Sequence, residues 1–482
     1  MLNCFVLWSV TFFLSLSFTH WIYKWKHHKS SGRLPPGSLG LPLFGETFSF
    51  FSPNTSLDIA PFMKSRIKRY GPIFKTSILG EYMVVSTDTD FNNFIFQQEG
   101  RLFQSWYPET FTRIFGVNNM STLHGFMYKY LKNLILSLFG VDSLKEKLLP
   151  DIKQFAIKRL HEWSCQPSIK MREESSAMIF DLTAKKLISH DSRKSLDNLR
   201  DNFNAFIEGL LSFPINFPGT SYYKCIQFHA FRGEKNVISM MKKLLNERRR
   251  CLKEGPDEDF FNLIIKELEK EGTQLTEDIA FDIMFVILFA SYETTSLSIT
   301  MAVKFLTDHP KVLSKLEEEH KNIIKNRVNP SSGITWNEYK SMIYTSHVIN
   351  ETMRLANIAP AIFRKTMQDI MTKDGYTIPA GWAVMVCPSA THLDPNIYED
   401  PCIFYPLRWE KTDATVGSKY FMAFGGGMRF CVGADFSRLQ TSVFLHHLVT
   451  KYRWIAVKGG EIVRTPGLKF PNGFHINLID RE

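Results

Sequence analysis

The chain has 482 residues, 44% of them apolar and 22% charged. That balance excludes a disordered chain, and the length suffices for two or three average domains around a large core. The net charge of +10 comes without any run of five basic residues, so a basic surface is expected without a nucleic-acid partner. Seven cysteines, at positions 4, 165, 225, 251, 387, 402 and 431, form no CxxC pair. They argue against a disulfide framework or a structural zinc site and place the chain in a reducing compartment.

Residues 2–23 contain no Lys, Arg, Asp or Glu. At about 1.5 Å per residue they can cross a hydrocarbon core of about 30 Å, which predicts a transmembrane helix. Lys24, Lys26, Lys29 and Arg33 follow, and positive charge on that flank keeps the remainder cytosolic. A cleaved signal peptide is the competing reading, but it calls for a basic start and a small-x-small cleavage site, and neither is present. Residues 24–45 form a basic, Pro-rich hinge whose LPPGSLGLPLFG run resists helix and sheet. No repeat interrupts residues 46–482, read as one domain.

Ile152, Phe155, Ala156, Leu160 and Trp163 recur at helical spacing, and Asn236–Glu271 shows the same period with Lys/Glu pairs. The spacing predicts a long helix from an N-cap at Thr276 to Asp308. It is apolar on nearly every side from Ile279 to Ala290, as a central buried rod requires. A second membrane span is excluded because only ten residues separate Asp282 from Glu293, short of the ~20 needed. A helix over Tyr339–Leu355 and a short β-run over Trp382–Cys387 follow. The chain is expected to be mainly α with a minor β-sheet subdomain.

The segment from Phe424 to Gly433, FGGGMRFCVG, fits F-x-x-G-x-R-x-C-x-G at every fixed position. Average residue usage makes an accidental match on the order of one in ten thousand for this length. Here the chain resembles the cytochrome P450 superfamily of haem-thiolate monooxygenases. The resemblance implies the P450 fold, a haem b cofactor, and Cys431 as the axial thiolate that pushes electron density onto iron. Gly425 and Gly433 permit a tight loop whose N–H groups can face the sulfur. Arg429 can neutralise a haem propionate, and Phe424 can shield the sulfur. A lone cysteine otherwise reads as an inert buried small hydrophobe, which is the reading of the other six.

Glu351 and Arg354 stand three apart on one helix face, and Phe404-Tyr-Pro-Leu-Arg408-Trp409 follows about fifty residues on. The resemblance makes Glu351, Arg354 and Arg408 a structural network that locks the cysteine loop. Ala290-Ser-Tyr-Glu293-Thr294-Thr295 resembles the oxygen-activation motif, so Glu293 and Thr294 are the implied proton-relay pair. The bland alternative is a threonine that bonds back to its own helix. Ser291 stands where the family most often has glycine, leaving less room for a kink beside oxygen. Lys132, in Tyr128-Lys-Tyr-Leu-Lys132, replaces the usual arginine: it keeps a charge for a propionate without the bidentate fork, or it is a solvated helix charge. Arg364 aligns with a second propionate-binding arginine.

Stretches 103–123, 203–222, 284–294, 358–363 and 467–473, the family's substrate contacts, are dominated here by apolar residues, which suits a bulky lipophilic ligand. The Pro-rich loop Ser212–Thr220 reads either as a patch dipping into the bilayer or as a lid. LPPGSLGLPLFGET, YGPIFKTSILG, NFPGT and ITWNEYKSM together look like plant microsomal members that oxidise triterpenoids and steroids. That implies a single-pass endoplasmic reticulum membrane protein fed by a separate NADPH-cytochrome P450 reductase, which holds the flavins. Sterol side-chain cleavage by successive hydroxylation, a reductase-independent haem-thiolate isomerase or dehydratase, and a haem sensor or steroid-binding protein are the rival readings.

Overall fold

The computed structural model describes residues 32–42, 44–108, 122–189, 234–251, 259–329, 333–411 and 417–481, with isolated positions outside these runs. The expected membrane helix at 2–23, the first part of the hinge and most of the 212–220 loop lie outside the described residues, apart from a few positions. The chain divides into two compact units: Met1–Ser52 with Ala60–Trp106 and Ala361–Cys387, and Pro53–Ile59 with Tyr107–Pro360 and Pro388–Glu482.

In the first unit, α1 (Pro61–Tyr70) opens on proline and ends at Gly71, φ +89°, the left-handed stop glycine tolerates best. β1 (Ile73–Ile78) and β2 (Glu81–Ser86) form a hairpin. Its two turn residues, Leu79 and Gly80, both have positive φ, 57° and 81°, the turn whose twist matches paired strands. Asp88 caps α2 (Thr89–Gln97) by accepting from Phe91 N–H at 2.6 Å. β3 (Phe103–Ser105), β4 (Ile362–Thr366) and β5 (Ala383–Val386) complete a sheet of order β1-β2-β5-β4-β3, parallel only at β2–β5. The fully buried β5 is the apolar run at Trp382–Cys387.

The second unit is helical: α3 (Gly125–Phe139), α4 (Leu149–Ser164), α5 (Met171–Ile188), α6 (Glu234–Cys251), α7 (Phe260–Leu268), α8 (Glu277–Asp308), α9 (Pro310–Lys325), α10 (Trp336–Ser341), α11 (Ile343–Ala356) and α12 (Ala434–Lys451). β6 (Tyr452–Gly459) and β7 (Phe474–Asp480) pair antiparallel, with Ile169–Lys170 on the far side of β7. α8 begins where its N-cap requires, Thr276 Oγ1 accepting from Ile279 N–H at 3.3 Å. It is long and apolar enough to cross a membrane, yet 72% of its most apolar window is buried within the protein. α5 and α12 pack along it.

Two expectations change. The helical period over Asn236–Glu271 is met by two helices, α6 and α7, the second capped afresh by Asp259, which accepts from Asn262 N–H at 2.9 Å. The helix expected over Tyr339–Leu355 is likewise two, broken at Met342 with ψ 66°. The cause lies on α9: the Glu319 carboxylate accepts from the N–H groups of Tyr344 and Thr345 at 2.6 and 2.9 Å. It satisfies orphan donors that mark a new helix start.

Candidate active site

The loop from Phe424 to Gly433 runs directly into α12. Gly425 and Gly427 have φ of +76° and +62°, a conformation costly for other residues, and the Cys431 N–H closes the loop on Phe424 O at 3.0 Å. Cys431 reaches the surface, and so do Cys165 and Cys402, which corrects the expectation that both are buried, whereas Cys387 is buried. Packing behind it pushes the thiol's pKa up, while the Gly433 N–H, bonded to the sulfur, pulls it down by favouring the thiolate.

On α8, Ala290 and Thr294 are exposed, one turn apart, whereas Tyr292, Glu293 and every residue from Thr295 to Val303 are buried. The rod thus opens out of the core on one narrow face. Among the described residues no group of three His, Cys, Asp or Glu could hold a metal ion. An accessible sulfur with an N–H aimed at it would supply a single ligand to a metal whose other ligands come from a macrocycle. It does not fit a cage built from protein donors.

Glu293 is turned away from that face, its carboxylate 2.5 Å from Arg172 Nη2 on α5. Thr294 Oγ1 donates to Ala290 O at 2.9 Å. Ser291 Oγ bonds Leu288 O at 3.0 Å and Thr183 Oγ1 at 3.2 Å, and α8 continues unbroken past it. Nothing in the sequence signalled Arg172, because a basic residue followed by Glu173 and Glu174 at a helix start reads as a solvated turn.

The Glu351 carboxylate gathers Arg354 through Nε and Nη2, both at 2.9 Å, Arg408 Nε at 2.9 Å, Trp409 Nε1 at 3.0 Å and the Tyr405 N–H at 3.0 Å. Arg354, fully buried, also donates to His392 O and Pro401 O at 2.6 and 2.7 Å. His392 Nε2 accepts from Met422 N–H at 3.1 Å, two residues before Phe424. Burial, then the adjacent Arg354 charge, push the His392 pKa down to about 3. The network therefore grips the chain on its way into the cysteine loop. Trp409 and His392 were not among the sequence candidates, since neither has a spacing that marks it.

Arg429 donates to Met120 O at 2.9 Å, Leu123 O at 2.5 Å and His124 Nδ1 at 2.9 Å, and lies 4.2 Å over the Tyr128 ring. Lys132 Nζ donates to Met428 O at 2.7 Å. Burial and the Arg429 charge lower the Lys132 pKa, and Cys431 opposes them. Phe424 is partly buried, its ring 6.3 Å from that of Phe430. Arg364 lies in the first unit on β4, buried, paired with the Glu99 carboxylate and donating to Phe363 O at 2.8 Å.

The cytochrome P450 family profile matches residues 35–474. Cytochrome P450 87A3 of Oryza sativa subsp. japonica is 57% identical over 96% of this chain and 89% of its own. A cucurbitadienol 11-hydroxylase of Siraitia grosvenorii is 41% identical over 99% of this chain and 100% of its own. A beta-amyrin 16-alpha-hydroxylase of Maesa lanceolata is 41% identical over 97% and 98%. Among solved structures, cyanobacterial CYP120A1 with retinoic acid bound superposes with a TM-score of 0.80 at 26% identity, covering 94% of this chain and 100% of that one. The accessible cysteine loop and these whole-length matches have one reading: the chain belongs to the cytochrome P450 family and is a haem-dependent monooxygenase.

Proposed function

We propose that this monooxygenase hydroxylates or further oxidises a bulky lipophilic triterpenoid or steroid. The reading rests above all on the two triterpene hydroxylases that match it over nearly its full length. The apolar residues of α8 beside the exposed Ala290 support it. Haem b, when bound, supplies the activation of dioxygen for insertion into an unactivated C–H bond. Cys431 holds the iron, the Gly433 N–H tempers the charge on its sulfur, and Phe424 screens it. Arg429, Lys132 and Arg364 are the candidate partners of the propionates. Phe424, Gly425 and Gly433 shape the loop, and Glu351, Arg354 and Arg408 hold it in place.

Thr294 Oγ1 is the candidate proton donor on the open face, and rotating its hydroxyl off Ala290 O frees its hydrogen. Glu293, once it leaves Arg172 and takes up a proton from water, passes that proton on to refill it. Electrons come from a separate NADPH-cytochrome P450 reductase carrying the flavins. Residues 2–23 anchor the chain as a single span in the endoplasmic reticulum membrane, 24–45 form the hinge, and 46–482 face the cytosol as the haem-thiolate domain.

The test is a reduced carbon monoxide spectrum of the membrane fraction, followed by turnover of cucurbitadienol, beta-amyrin and cholesterol with reductase, NADPH and labelled dioxygen. A thiolate-type Soret band with one labelled oxygen in a triterpenoid or steroid product is expected. Product formed without NADPH would instead make the chain an isomerase or dehydratase. The band without turnover of any of the three would remove the substrate class.

A further inference from the structure

The loop that carries Cys431 is held from a second direction, by α3. Tyr128 and Lys132 are four residues apart and therefore share one face of that helix. Both side chains end on one atom: Lys132 Nζ donates to Met428 O at 2.7 Å and Tyr128 Oη donates to it at 3.3 Å. Met428 is the middle residue of the single tight turn Gly427–Arg429, three residues before Cys431. The next residue, Arg429, places its guanidinium 4.2 Å from the centre of the same Tyr128 ring. Tyr128 is 4% exposed, so its hydroxyl and ring are fixed against the loop, not swinging in solvent.

We propose that Tyr128 and Lys132 are positioning residues, a two-donor clamp on the Met428 carbonyl that sets the cysteine loop for iron ligation. This rests on the haem-thiolate reading of Cys431. A carbonyl has two lone pairs and accepts two donors. A charged donor makes the stronger bond of the two. Lysine suits the task better than arginine, because a compact ammonium can converge on one oxygen that is already shared, whereas a planar fork seeks two acceptors. Groups that orient a metal ligand from behind typically change affinity about 10- to 100-fold when removed.

The experiment uses the full-length chain in membranes and reads the fraction of the reduced carbon monoxide complex that has the thiolate-type band, for Lys132→Met, Lys132→Gln, Tyr128→Phe and the doubles with Tyr128→Phe. The clamp requires Lys132→Met to raise the non-thiolate fraction about tenfold. Lys132→Gln, which keeps a neutral donor, should recover most of the band, and Tyr128→Phe should add more than its own effect when combined with Lys132→Met. Equal loss in Lys132→Gln and Lys132→Met, with Tyr128→Phe merely additive, means that charge toward the propionates is what matters, and the clamp is wrong. Should Lys132→Met fail to accumulate, the Tyr128→Phe and Lys132→Gln pair decides: loss beyond the sum of the singles supports the clamp, and simple additivity overturns it. A wild-type chain with no thiolate band removes the haem-thiolate reading itself, a result distinct from a wild-type band with uncoupled variants.

Discussion

The Arg172 guanidinium on α5 holds the Glu293 carboxylate of α8 at 2.5 Å, so the acid of the proposed relay pair is clasped one residue away from the exposed Thr294. Breaking that pair leaves a buried carboxylate without its partner. Arg172→Ala is expected to cost about 3 kcal/mol of stability, read as a lowered midpoint in thermal unfolding. A midpoint within error of wild type would show that solvent already shares the charge.

Thr294 carries the next expectation. Thr294→Ala should raise the ratio of hydrogen peroxide to product about tenfold at constant NADPH consumption, because general acid–base groups contribute at least that much. An unchanged ratio would mean that protons reach oxygen by another route, and that the bond to Ala290 O is the whole role of this hydroxyl.

Cys431→Ala should abolish the thiolate-type carbon monoxide spectrum, while Cys165→Ala and Cys402→Ala, at exposed thiols, should leave it intact. A retained spectrum in Cys431→Ala would reassign the ligand.

Glu351 meets two arginines, an indole and a backbone donor with all its bonds inside the protein. Glu351→Gln leaves two guanidinium groups poorly compensated in a dry site, with an expected loss of about 3–5 kcal/mol. Haem content after purification should fall in parallel, since the network grips the approach to the cysteine loop. Full haem content in a destabilised Glu351→Gln would separate the network from the loop.

Four buried histidines, His320, His392, His446 and His447, make stability depend on acid, and burial lowers the pKa of each. Burial, the largest cause in each, pushes His392 and His447 down to about 3 and His446 to about 4. The unfolded chain, with histidines near 6.5, therefore binds more protons than the folded one between these limits. The stability these groups contribute is fully present above about pH 6.5 and falls as pH drops toward 4, each histidine adding a slope of about 1.4 kcal/mol per pH unit. Urea midpoints at pH 7 and pH 5 should show the decline, and His446→Gln should flatten it by roughly a quarter. A slope unchanged by that substitution would assign the acid sensitivity to other groups.

The sequence made the rod and the cysteine loop legible because both are written locally, in an N-cap before an apolar run and in glycines that only one turn requires. The Glu351, Arg354 and Arg408 network was readable only through its order along the chain. The break at Met342 was not readable, because periodicity continues across it and the carboxylate that divides the helix stands on α9. Nor was the use of Lys132: spacing gives its face on α3 but cannot name the carbonyl, 296 residues on, that it meets. Contacts between distant segments leave no mark at the spacings a helix or strand imposes.

The carboxylate of Glu319 also acts as the zero mark of a ruler. It fixes α11 at Tyr344 and Thr345, and Glu351 stands two turns further along, about 10 Å by helical rise. A helix is stiff in length and phase, so the distance and direction from the first carboxylate to the second are set by residue count alone. Inserting one residue between Thr345 and Glu351 would swing Glu351 by about 100°, carrying it away from Arg408 and Trp409. The spacing between those two acids is thus a dimension of the enzyme, and a single-residue insertion there should be far more damaging than one in the exposed turn between β1 and β2.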